Sequence, residues 1–287
     1  MRIIMKTKIK HTQSLLVVLS ILANLIFPGC QKVINIDLNE AAPHIVIEGL
    51  ITDKPGPYTV SISKSGSYFN QPVLPPVSDA VVIITDNVGT IDTLREKKPG
   101  VYLTSRTRGI PGRTYILKVL AENQEYTGSS TMHFHVRIDS LNLVRNQSDR
   151  IYFGGNADDN TNVEVHCYFI DPVEKNFYRI KVIKNDSTRV AEYRLYDDQY
   201  TNGQEIELRV ARAIVGDTDI IELYSLDRQT FDYYRTLEDL LYSNPVFGST
   251  PANPNTNLSN GALGYFGASA ISSETIKITK SIFNKVK

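Results

Sequence analysis

Apolar and polar residues alternate at period two through most of this chain. From Ile45 onward, "HIVIEGLIT", "YTVSISKSG", "AVVIITD", "GVYLTS", "RTYILKVLA" and "QEYTGSSTM" read as short strands. Successive side chains on a strand point to opposite faces, so this alternation marks half-buried sheets. Turn residues punctuate the runs, as in "DKPGPY" and "RGIPG", where Pro presets φ and Gly supplies the left-handed conformations. The Pro-rich stretch "QPVLPPVSD" is unsuited to a central strand, which needs every backbone N–H. Short strands at regular spacing predict a sandwich or barrel.

The stretch "HVRIDSLNLVRN", His135 to Asn146, marks a boundary, after which longer, more polar and more aromatic strands resume. One segment breaks the strand pattern. In "QTFDYYRTLEDLLY", Tyr233, Leu237, Leu240 and Leu241 recur at helical spacing, which predicts a helix over 229–242. Asp227 or Thr230 could cap its start. The turn-rich segment "SNPVFGSTPANPNTNLSNG" follows, and then "ALGYFGASAISSETIKI" returns to strand character. A loop of that length is usually functional or disordered. The expected fold is mainly all-β, with two β-sandwich-like domains. The first, 44–136, is immunoglobulin-like; the second, 137–287, is β-rich and carries one short helix near 229–242. The first sandwich is expected to bury Val46, Val60, Ile62, Val82, Ile84, Tyr115, Leu117 and Val119. The two β units do not read as duplicates.

The beginning of the chain has a different pattern. Arg2, Lys6, Lys8 and Lys10 precede an apolar run, "SLLVVLSILANLIF", and then "PGC". The run is shorter than the roughly 20 residues of a spanning helix and suits a signal-peptide core. Gly29 before Cys30 favours a lipoprotein signal peptide over 1–29, with Cys30 as the lipidated first residue of the mature chain and 30–43 as a tether. An uncleaved N-terminal anchor, or a disulfide from Cys30 to Cys167, remains open. Phe27 departs from the usual lipobox residue.

Composition narrows the function classes. The whole chain holds 31 basic and 31 acidic residues, and residues 1–29 carry four of the basic ones and no acid. The remainder is mildly acidic and lacks the basic stripe that nucleic-acid binding needs. Candidate chemistry is sparse. His133 and His135 lie two apart and could share a metal, with no third ligand in view. Asp158, Asp159 and Asn160, and Asp197 with Asp198, are oxygen-rich but lack a calcium-loop pattern. His166 and Cys167 fall on opposite faces of a strand. No nucleophile-elbow, zinc-protease, P-loop or dinucleotide-binding motif occurs. A non-catalytic protein with no cofactor and no bound metal is expected.

The ordered set of a lipobox, "INIDLNEAAPHIVIEGLITDKPGPYTVSISKSG", "PPVSDAVVIITDN", "PGVYLT", "GIPGRTYILKV" and "NLSNGALGYFGASA" resembles the outer-membrane lipoproteins of Bacteroidota that carry the domain of unknown function numbered 4249. The resemblance implies a lipid-anchored outer-membrane protein that accompanies a TonB-dependent nutrient-uptake receptor, by binding a ligand or the barrel itself. It brings no catalytic residues. A cell-surface hydrolase and a purely structural envelope lipoprotein are the alternatives. Contacts are expected on the second domain, around the helix at 231–242 and the loop at 244–261. Tyr234, Tyr242, Asn244, Phe247 and Asn255 are the candidate contact residues.

Overall fold

Strand alternation builds two sandwiches, and one long strand joins them. The computed structural model describes residues 43–66, 74–145, 163–185, 190–242 and 253–283. The signal-like segment and the tether up to residue 42 therefore lie outside the described residues.

The first sandwich holds β1 (Ile45–Thr52), β2 (Thr59–Lys64), β3 (Val81–Asp86), β4 (Ile91–Thr93), β5 (Arg95–Lys98), β6 (Val101–Leu103), β7 (Thr114–Ala121) and β8 (Gln124–Thr131). One sheet runs β1-β2-β6-β5 and the other β4-β3-β7-β8. Lettered A to G in chain order, with β4 as C′, this is A-B-E-D against C′-C-F-G, the immunoglobulin strand order. Tyr115, at the start of the F strand, donates its hydroxyl to the Arg108 carbonyl at 2.7 Å and accepts from the Ile110 N–H at 2.8 Å. This is the tyrosine corner of such sandwiches. Val60, Ile62, Val82, Ile84, Tyr115, Leu117 and Val119 are all buried. Val46 is the exception: on β1 the inward positions are Ile45, Ile47 and Ile51, and Val46 lies on the opposite, half-exposed face. A register one residue out reverses every side chain on a strand.

The second sandwich holds β9 (Ser140–Arg145), β10 (Val163–Ile170), β11 (Phe177–Lys184), β12 (Val190–Asp197), β13 (Glu205–Ala213), β14 (Thr218–Leu226) and β15 (Leu263–Lys277). The sheets run β13-β10-β9 and β12-β11-β14-β15. By the same lettering they are E-B-A against C′-C-F-G. The two units do not read as duplicates in sequence, yet they share one strand order. Their connections differ. The F–G turn of the first unit is a tight Glu122-Asn123 pair, both with positive φ. In the second unit the F–G connection runs from Leu226 to Leu263 and contains helix α1 (Arg228–Tyr242). A short helix α2 (Lys280–Phe283) follows β15.

The expected boundary between domains 44–136 and 137–287 needs one correction, and β15 supplies it. Its first half pairs in parallel with β1, from Val46↔Leu263 to Thr52↔Ser269. Its second half pairs antiparallel with β14, from Ser225↔Ala270 to Thr218↔Lys277. One eight-stranded order results, β12-β11-β14-β15-β1-β2-β6-β5. The cores stay separate, with Met132 in the first and Val136 in the second. The first core nevertheless takes Leu258, Ala262, Phe266, Ala268 and Ala270 from the far end of the chain. Residues 258–270 therefore complete the first sandwich. Gly264 permits the close approach. Its φ is +91°, and an added Cβ would lie 2.1 Å from the Ile47 carbonyl oxygen.

Candidate functional site

Helix α1 sits on the outer face of the joined sheet, over the region where β15 passes from one sandwich to the other. Asp227 fixes its start. The Thr230 N–H donates to Asp227 Oδ1 at 2.7 Å, a helix cap. Asp227 Oδ2 accepts from Ser130 Oγ at 2.5 Å and from the Thr131 N–H at 3.2 Å. Ser130 Oγ in turn accepts from the Ala268 N–H at 2.8 Å. One carboxylate thus ties the helix of the second unit to β8 of the first. Both residues are buried, so these bonds are shielded from water and expensive to lose.

The inward face of α1 packs Phe231, Tyr233 and Tyr234 on Phe177, Tyr224, Leu226 and Ile271. Tyr233 stacks on Tyr265 with centroids 4.5 Å apart. The Tyr234 hydroxyl donates to the Tyr265 hydroxyl at 2.5 Å, and the Arg179 guanidinium lies 3.9 Å from the Tyr234 ring centroid. Burial, with Glu48 next in effect, pushes the Tyr233 phenol up to about 12. Burial and then the neighbouring Tyr234 hold the Tyr265 phenol well above its ordinary value. Both hydroxyls therefore stay protonated through the physiological range. Beside the tyrosines opens a shallow cleft of about 330 Å³, with Glu48, Arg179, Lys181 and Leu237 on its walls. Lys181 pairs with Glu222 at 3.4 Å. Phenol donors, two cations and a carboxylate around apolar rings can orient a polar ligand.

The sequence-predicted contact residues fare unequally. Cys30, Asn244 and Phe247 lie outside the described residues. Tyr234 is not presented to solvent; it is buried, because the helix turns it onto Tyr265 and Arg179. Tyr242 is the last residue of α1. The Asn255 N–H donates to Thr236 Oγ1 at 2.9 Å. The segment after it is a strap. Asn257 Nδ2 donates to the carbonyls of Ser129 and Phe266 at 3.0 and 2.7 Å, and its Oδ1 accepts from the Phe266 N–H at 3.0 Å. The Ser259 N–H donates to the Thr127 carbonyl at 2.8 Å. Residues 255–260 thus cover the open edge of β8, a duty that unpaired strand edges require. Asp227 was legible as a cap; its second bond, to Ser130, was not, since 97 residues separate the two.

The metal candidates do not converge. His133 lines a hollow with Asp227 and Arg228, whereas His135 lines another with Lys54 and Arg137. Asp198 accepts from the Asn176 N–H at 2.6 Å and serves a turn. Asp158, Asp159 and Asn160 lie outside the described residues. His166 Nδ1 sits 2.7 Å from Glu207 Oε1. Cys167 is buried, and burial pushes its thiol up to about 12, so it is a packing residue.

A family model matches residues 31–275, the family being described as a domain of unknown function, DUF4249. The chain belongs to that family. A search of curated proteins gives no match. Among solved structures, the DUF4249 chain is similar to a two-domain fibronectin type-III segment of chicken tenascin, at 10% identity, covering 64% of this chain and 91% of that one with a TM-score of 0.20. It is also similar to the adhesin InvE of Yersinia pseudotuberculosis, at 15% identity, covering 63% of this chain and 55% of that one, again with a TM-score of 0.20. Superpositions at that level say little, and the immunoglobulin-like fold rests on the strand order and the tyrosine corner.

Proposed function

We propose that this DUF4249 protein is a lipid-anchored, non-catalytic envelope protein that accompanies a TonB-dependent outer-membrane receptor. Its contact face is the exposed side of α1, with the cleft beside it. The observation that carries the reading is the F–G connection of the second sandwich. Loops at this end of a sandwich are a common place for recognition. Here the loop is elaborated into a helix and pinned by Asp227 at its start and by Asn257 beyond it. A pre-set surface loses little entropy on docking. Leu241 is 71% exposed on this helix, with Arg235 also turned outward. The anchor is supported by the basic start of the chain and by "LIFPGC", a short apolar run that ends in Gly29-Cys30.

The test is co-purification. Tagged full-length protein is extracted from its native envelope in mild detergent, and associated barrels are identified by mass spectrometry. Recovery of a TonB-dependent receptor is expected. The Arg235→Glu, Leu241→Asp double variant should lose it while keeping the wild-type melting temperature. A folded variant that retains full recovery would remove α1 from the contact. Failure of the wild-type protein to recover any barrel would sink the partnership and leave a surface hydrolase or a structural role to be assayed.

A further inference from the structure

β15 belongs to both sandwiches, and the directions of its two pairings decide how tension runs through the chain. Its first half lies parallel to β1 in seven residue pairs, Val46↔Leu263 to Thr52↔Ser269. Its second half lies antiparallel to β14 in eight, Ser225↔Ala270 to Thr218↔Lys277. The described chain enters the sheet at Ile45, the foot of β1, and leaves β15 at Lys277, at the far end of the same strand direction. Tension between those two points draws β1 and β15 past one another along their common axis. The β1–β15 pairs, spread over about 20 Å at about 3.3 Å per residue, then resist together instead of opening one after another.

We infer that the β1–β15 pair is a shear clamp, a device that keeps both sandwiches folded while the chain is under tension between its start and its end. Side chains lock the register. On the inward face of β1, Ile47 and Ile51 flank Gly49. The Phe266 ring of β15 fills the space beside that glycine, where an added Cβ would lie 3.2 Å from it. Slippage of β1 toward its own start carries Ile51 into Phe266. Both are buried in the first core, and a close-packed core does not yield to such a displacement. Tension passes onward to the second sandwich by two routes. One is the pairing of β15 with β14. The other is the buried bond from Ser130 of β8 to Asp227 at the start of α1. The clamp follows from register and packing alone. Its use, as a link that stays folded between a lipid anchor at Cys30 and a partner held on α1, rests on the proposed function.

The experiment is single-molecule force spectroscopy on the full-length protein in detergent micelles. Azide-bearing residues replace Pro43 and Lys280, both exposed, and carry the pulling handles, so that the two strands are sheared. In a second arrangement the handles sit at Pro43 and Gln124. Gln124 lies at the same end of the sandwich as Ile45, because Lys64, the residue opposite Ile45, pairs with Glu122. Tension there peels β1 away from Ile45 onward, one residue at a time. Forced unfolding is governed by the barrier to unfolding, so at one loading rate the sheared chain should unfold at about twice the force of the peeled chain, or more. Gly264→Ala, which sets a Cβ against the Ile47 carbonyl, should bring the shear force down to the peel force. Equal forces in the two arrangements without that substitution overturn the inference whatever the variant does. A high shear force that survives Gly264→Ala also overturns it. Pulling requires neither lipid nor receptor, so a failure here leaves the co-purification result untouched, and a failure to recover a barrel leaves the clamp standing.

Discussion

Asp92 offers the sharpest quantitative test of the first sandwich. It lies on β4, is 1% exposed, and faces the connection between β6 and β7. Its Oδ2 accepts from the N–H groups of Ser105, Arg106 and Thr107 at 2.9, 2.7 and 2.7 Å, and from Thr107 Oγ1 at 3.0 Å; its Oδ1 accepts from Ser105 Oγ at 2.7 Å. Burial pushes the carboxyl up, but the donors from Arg106, Thr107 and Ser105 outweigh it and hold the group down at about 2 against an ordinary 3.8. That difference amounts to about 2 kcal/mol favouring the folded state. A depressed folded pKa contributes stability above the unfolded value, and that stability is lost as pH falls through about 2. Asp92→Asn keeps an acceptor for the loop and loses the charge, so at pH 7 it should cost about 2 kcal/mol. Asp92→Ala leaves three backbone donors without their acceptor and should cost about 3–5 kcal/mol. Urea denaturation followed by circular dichroism measures both. At pH 3 the gap between wild type and Asp92→Asn should shrink to about half, because the unfolded wild-type chain is by then largely protonated. A gap that does not change between pH 7 and pH 3, or an Ala variant within about 1 kcal/mol of wild type, would refute the reasoning.

Gly264→Ala forces a Cβ against the Ile47 carbonyl at a φ of +91°, so the β1–β15 pairing should fail, with loss of amide-exchange protection at Ile47 through Thr52. Cys167 should resist a thiol reagent at pH 8 in the folded protein and react within seconds once urea unfolds it, since burial holds its thiol protonated. Cys30→Ala should abolish labelling by a palmitate analogue, and equal labelling of the variant would remove the lipid anchor from the proposal.

Period-two alternation told where the strands are, because a strand's burial pattern is local. It could not tell which strands pair. Residues 46–52 and 263–269 are separated by more than two hundred positions, and "ALGYFGASAISSETIKI" reads as a single strand whatever lies beside it. Its double pairing depends on Gly264, a residue whose value shows only when another backbone lies against it. Tyr234 illustrates the same limit on a helix. Spacing marks which positions share a face, but whether that face meets solvent or Tyr265 is decided by where the sheet lies. The fixed length of an apolar run and the residues at Gly29-Cys30 are one-dimensional signals, and so the anchor reading came from sequence alone. Strand periodicity, the α1 helix and its Asp227 cap were likewise determined by the sequence itself, through local backbone chemistry. The shared strand order of two dissimilar halves, the strap over β8 and the burial of Asp92 belong to the tertiary structure, because each satisfies backbone donors and acceptors contributed by residues far apart in the chain.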